Sequence, residues 1–187
     1  GTTPLTLACY KGDVAAIRDL LQKGAGVDQE DDDGYTPLFV ASLKRHVDAA
    51  RLLLDAGAAV DKRREGDLSP FGIACVLGHV DVATLLVERG ADTAAVNTCS
   101  GGTPPLLFAC RQRNLDAMRL CVRHGANVKL ADTAGTTSLH VACENGLVDQ
   151  ALWLLECGAE VNAAAADGQT SLFASCVWGH IDAARLL

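Results

Sequence analysis

A Gly-Ala dipeptide recurs along this chain at a nearly constant interval. It begins at residues 24, 57, 90, 125 and 158, so that successive copies lie 33, 33, 35 and 33 residues apart. A second marker, Thr-Pro-Leu or a close variant, keeps the same register and begins at residues 3, 36, 69, 103, 137 and 170. Two markers in one register indicate a tandem array of similar structural units.

Each unit is predicted to contain two short helices. The residues after Thr-Pro-Leu have the apolar spacing of a helix for about two turns, and Gly-His or an equivalent then interrupts it, as at Gly78-His79. A second apolar stripe, for example Val47, Ala50 and Leu53, ends at Gly-Ala, where glycine can adopt the left-handed conformation that closes a helix. Proline suits the first turn of a helix. A loop of about ten residues completes the unit.

These residues closely resemble the ankyrin repeat, whose pattern combines Thr-Pro-Leu-His-x-Ala, Gly-His and Leu-Leu-x-x-Gly-Ala. The resemblance covers nearly all 187 residues and implies an all-α repeat solenoid of stacked ankyrin helix-turn-helix units with β-hairpin loops, the fingers. We expect a single domain, 1–187, with copies at residues 1–31, 32–64, 65–98, 99–131, 132–164 and 165–187, the last incomplete. Because a repeat buries its faces only against its neighbours, we expect this chain to be a fragment of a longer one.

The second and fourth copies depart from the repeat pattern. Arg45 replaces the glycine between the two helices of the second copy, and Arg113-Asn114 replaces Gly-His in the fourth. The fourth copy also has two extra residues in its loop. We expect this insertion to lengthen one finger.

Composition limits the classes of function. A net charge of −7 argues against a general nucleic-acid binder, because neutralising phosphates requires a basic face. No run of about 18 apolar residues is present, so we expect no direct membrane insertion. Eight cysteines in a chain with ample Leu, Val and Ala favour a reducing compartment over a disulfide framework. We therefore expect an intracellular protein, cytoplasmic or nuclear, and leave homo-oligomerisation open.

Five cysteines occupy one position of the first helix: Cys9, Cys75, Cys110, Cys143 and Cys176. A position that must be small and buried suits cysteine as well as alanine, so these residues are predicted to be packing groups. Cys121 falls on an apolar position of a second helix and is also predicted to be core. No Cys-x-x-Cys motif supports a metal or redox site. Cys99 and Cys157 are the thiols that we expect to be exposed and to react first.

Binding residues are expected where the copies differ. In the family that this chain resembles, the fingers and the concave side of the first helices usually carry binding. The resemblance therefore implies partner-binding residues at two variable positions before the inter-helix turn and in the fingers: Tyr10, Lys11, Asp32, Asp33, Tyr35, Leu43, Lys44, Arg64, Leu68, Val76, Leu77, Arg111, Gln112, Glu144, Asn145 and Trp178.

Two groups within this set have alternative interpretations. An exposed apolar strip, which would mark an interface, is predicted from Tyr35, Leu43, Leu68, Val76 and Leu77. The alternative is that some of these side chains pack on neighbouring copies. Trp178 is a candidate because tryptophan is enriched at interface hot spots; alternatively, a further repeat outside this chain covers it.

Charge is segregated between two fingers. Asp28 and residues 30–33 make the first finger acidic, whereas residues 62–64 make the next one basic. Such runs are either solvated tips or groups that steer a partner of opposite charge and fix its register. Calcium binding by the aspartates is disfavoured, because an EF-hand loop has acids at alternate positions and ends in Glu.

One finger resembles a recognition sequence for the asparaginyl hydroxylase that modifies ankyrin domains: Leu154, five residues, then Glu160-Val161-Asn162. Asn162 is thus a candidate modification site, although asparagine also suits the hairpin turn.

No catalytic motif is found, and His79 and His180 match a position where the family uses the imidazole structurally. We expect no enzyme activity, metal or cofactor. The predicted function is a non-catalytic module that binds a protein or peptide through the concave face and fingers, as a scaffold or a substrate-recruiting adaptor. The alternative is a targeting or regulatory domain of a larger enzyme or channel.

Overall fold

The computed structural model describes residues 1–63, 68–97 and 101–187. Within these residues lie twelve α-helices in six pairs: α1 (Pro4–Lys11) and α2 (Val14–Gln22), α3 (Pro37–Leu43) and α4 (Val47–Asp55), α5 (Pro70–Leu77) and α6 (Val80–Glu88), α7 (Pro105–Arg111) and α8 (Leu115–Arg123), α9 (Ser138–Glu144) and α10 (Val148–Glu156), α11 (Ser171–Val177) and α12 (Ile181–Leu186). One pair lies in each predicted copy, and a 3₁₀ helix, Thr93–Asn97, follows α6. The predicted all-α repeat class is confirmed.

The helices form two compact units, Gly1–Ala95 and Val96–Leu187. In the first unit α3 contacts both α1 and α5, and α4 contacts both α2 and α6. In the second unit α9 contacts both α7 and α11, and α10 contacts α12. Within each unit, neighbouring helix pairs therefore stack first helix on first helix and second helix on second helix.

Side-chain caps fix where most first helices begin. The hydroxyl oxygens of Thr3, Thr36, Ser69, Thr137 and Thr170 accept hydrogen bonds, 3.1–3.4 Å long, from the backbone N–H three residues later. Helix α7 differs, because its cap position holds Pro104 and lacks such an oxygen. Thr103, part of the marker in the fourth copy, lies one residue too early to cap that helix.

Left-handed residues end both helices of a pair. At the first Gly-Ala, Gly24 has φ +84°, and the Ala25 N–H donates to the Leu20 carbonyl over 3.0 Å, as expected for a helix-closing glycine. The turn between paired helices also needs a positive φ, and Arg45 and Arg113 adopt it at 60° and 56°. The two arginines that replace glycine therefore keep the backbone conformation of the residue that they replace.

The fingers are tight turns. Isolated antiparallel bridges join Ala131 to Thr137 and Ala164 to Thr170, and no longer strand is assigned in the part of the chain that the structure describes. The predicted β-hairpins are thus reduced to single bridges. The expected lengthening of the fourth finger falls largely on residues 98–100, outside the described residues.

Histidines link neighbouring helix pairs. The His79 Nδ1–H donates to the Ser42 carbonyl over 3.0 Å, and the His46 ring nitrogen Nε2 contacts the Tyr10 carbonyl at 3.2 Å. The His46 ring also packs on Gly12, where an added Cβ would lie 2.7 Å from Nδ1. The structural role implied for this histidine position is present at His79.

The repeated cysteine position is buried in four of the five copies that carry it. Cys9, Cys75, Cys110 and Cys143 have 0 % exposure, as predicted, and so has Cys121 on α8. Cys176 is exposed, so the expectation of burial is wrong there. Its helix, α11, packs on α9 and α12.

Burial also sets the reactivity of the thiols. It raises the pKa of Cys9, Cys110 and Cys121 to about 12 and that of Cys143 to about 11. Cys157 is half-buried, and burial followed by the Glu156 carboxylate raises its pKa. The expectation that Cys157 is an exposed, early-reacting thiol is therefore weakened. Cys99 lies outside the described residues.

None of the helices in the described ranges combines the length and the apolarity that crossing a membrane requires.

Replacing Arg113 by glycine is expected to stabilise the protein. A residue with a Cβ in the left-handed region costs roughly 1–2 kcal/mol, part of which glycine loses again through its greater freedom when unfolded. We expect Arg113→Gly to raise the free energy of unfolding by about 0.5–1 kcal/mol, measured by urea denaturation. The matched control is Gln112→Gly, where φ is −77° and glycine should destabilise. Equal effects of the two substitutions would contradict the explanation.

Cys176 is expected to be the first described thiol to react. In a Cys99→Ser background at pH 8, a thiol with a pKa near 12 is ionised in only about one molecule in ten thousand, and only the thiolate is nucleophilic. We expect iodoacetamide to modify Cys176 first, Cys157 more slowly and Cys9 or Cys121 only after unfolding in urea. Mass spectrometry of the peptides gives the order. Modification of Cys9 in the folded protein as fast as that of Cys176 would refute it.

Candidate functional site

A groove lies between α1, α3 and the finger that precedes α3. Its volume is about 340 Å³. Its lining combines apolar, aromatic and acidic side chains with two threonines: Thr2, Thr6, Leu7, Tyr10, Asp31, Asp33, Tyr35, Val40 and Leu43. We call it the α1–α3 groove.

Helix α1 contributes two exposed apolar side chains to one wall. Leu7 and Tyr10 are three residues apart and therefore share a helix face. Their exposed fractions are 44 % and 54 %. Leu5 and Cys9 occupy the buried side of the same helix. Helix α1 thus carries apolar residues on both sides, and Leu7 and Tyr10 line the groove.

The finger is held in shape by Asp31. Its Oδ1 accepts hydrogen bonds from the backbone N–H groups of Asp33 and Tyr35, 3.1 and 2.9 Å long. The Tyr35 ring stacks on Phe39, with ring centroids 4.9 Å apart and planes inclined by 10°. These contacts fix the acidic tip and the tyrosine at one end of the groove.

Positive charge lies at the other end. The Lys44 Nζ is 4.1 Å from the centroid of the Tyr10 ring, which is the geometry of a cation–π contact. Lys11, the last residue of α1, is also exposed. The groove therefore runs from carboxylates at the finger to ammonium groups at the helix ends.

The structure brings four predicted binding residues together in this groove: Tyr10, Asp33, Tyr35 and Leu43. Lys44 lies beside them, whereas Lys11 and Asp32 are exposed but do not line the groove. Sequence reasoning missed Leu7 as a lining residue. The i, i+3 spacing of Leu7 and Tyr10 was the available signal, because it puts both on one helix face.

The predicted apolar strip is interrupted. Val76 is 1 % exposed and Leu68 is 8 % exposed, so neither presents a surface to a partner. Val76 is buried on α5, which packs on α3 and α6, and Leu68 packs over Gly72, where an added Cβ would lie 3.4 Å away. Both side chains are thus packed within the chain, and the contact of Leu68 with Gly72 lies inside its own copy. Leu77 is half-buried, and Arg64 lies outside the described residues.

The predicted residues of the second unit have separate environments. Arg111 donates to the Asp132 carboxylate over 2.7 Å. Burial opposes the charged form of Asp132, but the N–H groups of Thr136 and Ala134 and the Arg111 guanidinium together lower its pKa. Arg111 is thus already paired within the chain.

The remaining predicted residues of this unit are exposed: Gln112, Glu144, Asn145 and Trp178. The side-chain amide of Asn145 donates a hydrogen bond to the backbone carbonyl of Val141 over 2.9 Å. Trp178 has 61 % of its surface exposed and follows Val177, which is 60 % exposed. Their role in binding stays a prediction.

In other copies, the residue equivalent to Asn162 has a structural role. The equivalent side-chain oxygens of Asp28, Asp61 and Asn97 accept a backbone N–H from the next copy, at Ala59, Asp92 and Asn127. An acceptor at this position therefore ties neighbouring copies together. Asn162 itself is exposed, and its modification stays a prediction.

The charged fingers are partly paired with each other. The Lys62 Nζ lies 3.1 Å from a Glu30 carboxylate oxygen and donates to the Asp28 carbonyl over 2.9 Å. The carboxylates that line the groove, Asp31 and Asp33, belong to the same acidic run. Within the described residues, no group of three or more His, Cys, Asp or Glu side chains is placed to hold a metal ion.

Three solved structures resemble the whole chain. The human ASB11 ankyrin repeat domain matches with a TM-score of 0.82 and 26 % identity over 98 % of this chain and 81 % of that one. An ankyrin repeat domain from Acinetobacter baumannii AYE matches with a TM-score of 0.81 and 27 % identity over 98 % and 95 %. A chain in the complex of the Bd0816 predatory endopeptidase from Bdellovibrio bacteriovorus with immunity protein Bd3460 matches with a TM-score of 0.83 and 23 % identity over 100 % and 97 %.

A family model matches most of the sequence. The model described as ankyrin repeats (3 copies) matches residues 1–64 and 71–165. A comparison with curated proteins found no match. The matched residues include all five Gly-Ala dipeptides and the Thr-Pro-Leu-type markers that begin at residues 3, 36, 103 and 137. The chain therefore belongs to the ankyrin repeat family, whose fold is generally a non-catalytic module for protein–protein interaction.

Proposed function

We propose that this chain binds a protein or peptide partner through the face formed by its first helices and fingers, without turnover. The observation that carries the proposal is the α1–α3 groove. Four residues at positions where the copies differ in sequence line this one cavity. In a repeat protein, residues that maintain the stack recur, so a cluster of non-recurring side chains is free to serve recognition.

The chemistry of the groove suits a macromolecular partner. Leu7 and Tyr10 expose apolar surface next to one another, whereas large side chains of this kind are usually covered when they cluster. Tyrosine is enriched at protein interfaces, because its ring contributes apolar area and its hydroxyl a hydrogen bond. Removal of this apolar surface from water would supply the main driving force for binding.

A scaffold or a substrate-recruiting adaptor is the role that we propose within this class. An intracellular site of action goes with it, because no disulfide joins the cysteines of the described residues, as expected in a reducing compartment. Both roles require only a passive binding surface, which is what the groove offers.

Affinity capture from cell extract, with a matched pair of variants, tests the proposal. Leu7 in the groove and Leu152 on α10 have the same exposed fraction, 44 %, so Leu7→Ser and Leu152→Ser remove equal exposed apolar surface at different places. We expect Leu7→Ser to weaken retention of at least one captured protein about tenfold, because a contact residue at an interface typically contributes more than 1 kcal/mol. Leu152→Ser should retain it.

Both variants must first show the helical circular dichroism of the unsubstituted chain. If every captured protein binds Leu7→Ser and Leu152→Ser equally well, the groove is not the binding site and the proposal is wrong.

A further inference from the structure

We propose that this chain forms a two-fold dimer in which the last helix pair packs on the same helix pair of a second copy. The contact is made by a surface that we call the tail face, which consists of exposed residues of α11 and α12: Leu172, Phe173, Cys176, Val177 and Ile181. These helices do not line the α1–α3 groove, so the inference goes beyond the proposed function and is tested separately.

The tail face has the composition of an internal packing surface. Its four large apolar side chains are 46–64 % exposed. Leu172 and Cys176 occupy the repeat positions that Leu139 and Cys143 hold in the preceding copy, where α9 packs on α11 and both residues are buried. A contiguous exposed apolar surface of this kind typically marks an interface.

A cavity of about 380 Å³ lies in the tail face between α11 and α12. Gly179 lines it, and a Cβ added to Gly179 would meet nothing within 4 Å. At Gly146, the same position of the preceding copy, the His180 ring fills this space, with its Nδ1 2.7 Å from an added Cβ. The cavity therefore has room for a ring where the preceding copy receives one.

Register decides which ring of a second copy enters the cavity. If the two-fold axis passes beside Cys176, helix α11 packs antiparallel on α11 of the other copy. Phe173 and Gly179 lie three residues to either side of Cys176. Each Phe173 then lies opposite Gly179 of the other copy, and the same contact forms twice, as a two-fold interface requires. The exposed phenylalanine and the cavity thus make the tail face self-complementary.

The other end of a second copy lacks a matching ring. There Asp13 holds the repeat position of His180, and its carboxylate accepts the Ala16 N–H at the start of α2. Charge also favours contact between two tail faces. From residue 168 to residue 187 the charged side chains are Asp182 and Arg185, which pair with each other over 3.6 Å. Two copies of a chain with net charge −7 therefore meet at this end with little mutual repulsion.

The area of the tail face sets the expected strength of the dimer. Four large side chains that are about half exposed offer on the order of 400 Å² of apolar surface per copy. A standard interface buries about 800 Å² per partner. We therefore expect a dissociation constant in the micromolar range, with monomer predominating in dilute solution.

Cys176 reports on the proposed geometry. Packed helix axes lie about 8–10 Å apart, which places facing Cα atoms roughly 4–6 Å from one another. This separation suits a disulfide between the two copies of Cys176. In dilute solution Cys176 reacts as an exposed thiol, whereas in the dimer the second copy covers it.

Sedimentation equilibrium of the 187-residue chain between about 1 μM and about 100 μM tests the association. We expect the mass to rise to that of a dimer and no further, because a two-fold contact closes, whereas a head-to-tail contact adds further copies. Leu172→Ser and the control Leu7→Ser remove similar exposed surface, 46 % and 44 % of each side chain. We expect Leu172→Ser to raise the dissociation constant about tenfold and Leu7→Ser less than about twofold.

Two further variants test the seat itself, after circular dichroism has shown that each keeps its helices. Ala184 lines the cavity and is half-buried. Ala184→Leu adds apolar surface but fills the space for Phe173, so it should weaken the dimer about tenfold, as Phe173→Ser should. Unspecific association through an apolar surface would instead be strengthened by Ala184→Leu. Dimerisation of either variant as tight as that of the unsubstituted chain would contradict the proposal.

Thiol chemistry in a Cys99→Ser background supplies an independent readout. We expect copper phenanthroline to link two chains through Cys176, and iodoacetamide to modify Cys176 more slowly as the chain concentration rises. Cys157, half-buried at the end of α10, is the control whose rate should not change. A chain that stays monomeric at about 100 μM, or that associates beyond two copies, overturns the inference and leaves the tail face to a different partner.

Discussion

The close approach of neighbouring first helices is the constraint on which the rest of the structure depends. It requires a small, buried side chain at one position of each copy, where Cys9, Ser42, Cys75 and Cys143 are all fully buried. Larger side chains there would force the helices apart, because a close-packed interior does not absorb added volume. The cysteines therefore act as small apolar residues, and burial, by raising the pKa values of Cys9 and Cys143, also keeps these two thiols unreactive.

Stacking also depends on polar contacts that cross from one copy to the next in register. His79 binds the Ser42 carbonyl, and the finger oxygens of Asp28 and Asp61 accept N–H groups of the following copy. Such bonds give backbone groups of loops and helix ends a partner in the neighbouring copy. Where the repeat departs from its pattern, the backbone is kept nevertheless: Arg113 adopts a positive φ although glycine would do so with less strain.

Periodicity predicted the helix pairs, the glycines that end them and the burial of most cysteines, because these depend on contacts that every copy repeats. It failed where a side chain's environment depends on which neighbour it has. Val76 was expected on a surface strip and is buried, and Cys176 was expected in the core and is exposed. Leu68, expected on the same strip, is also buried and lies against Gly72. The variable positions therefore predicted some of the residues that line the groove, such as Tyr10 and Leu43, but they did not predict others, such as Leu7.

One repeat position shows why binding has to be local in such a chain. Tyr10, Val76 and Arg111 each directly follow the cysteine of the repeated position, yet Tyr10 has Lys44 over its ring, Val76 is buried and Arg111 pairs with Asp132. Equivalent backbone positions thus carry unrelated chemistry, so no recognition property extends along the array by repetition alone. At the α1–α3 groove, a variable helix position and a variable finger line one cavity. A repeat scaffold obtains specificity where variable residues of different elements lie together, because its shared residues are required for stacking.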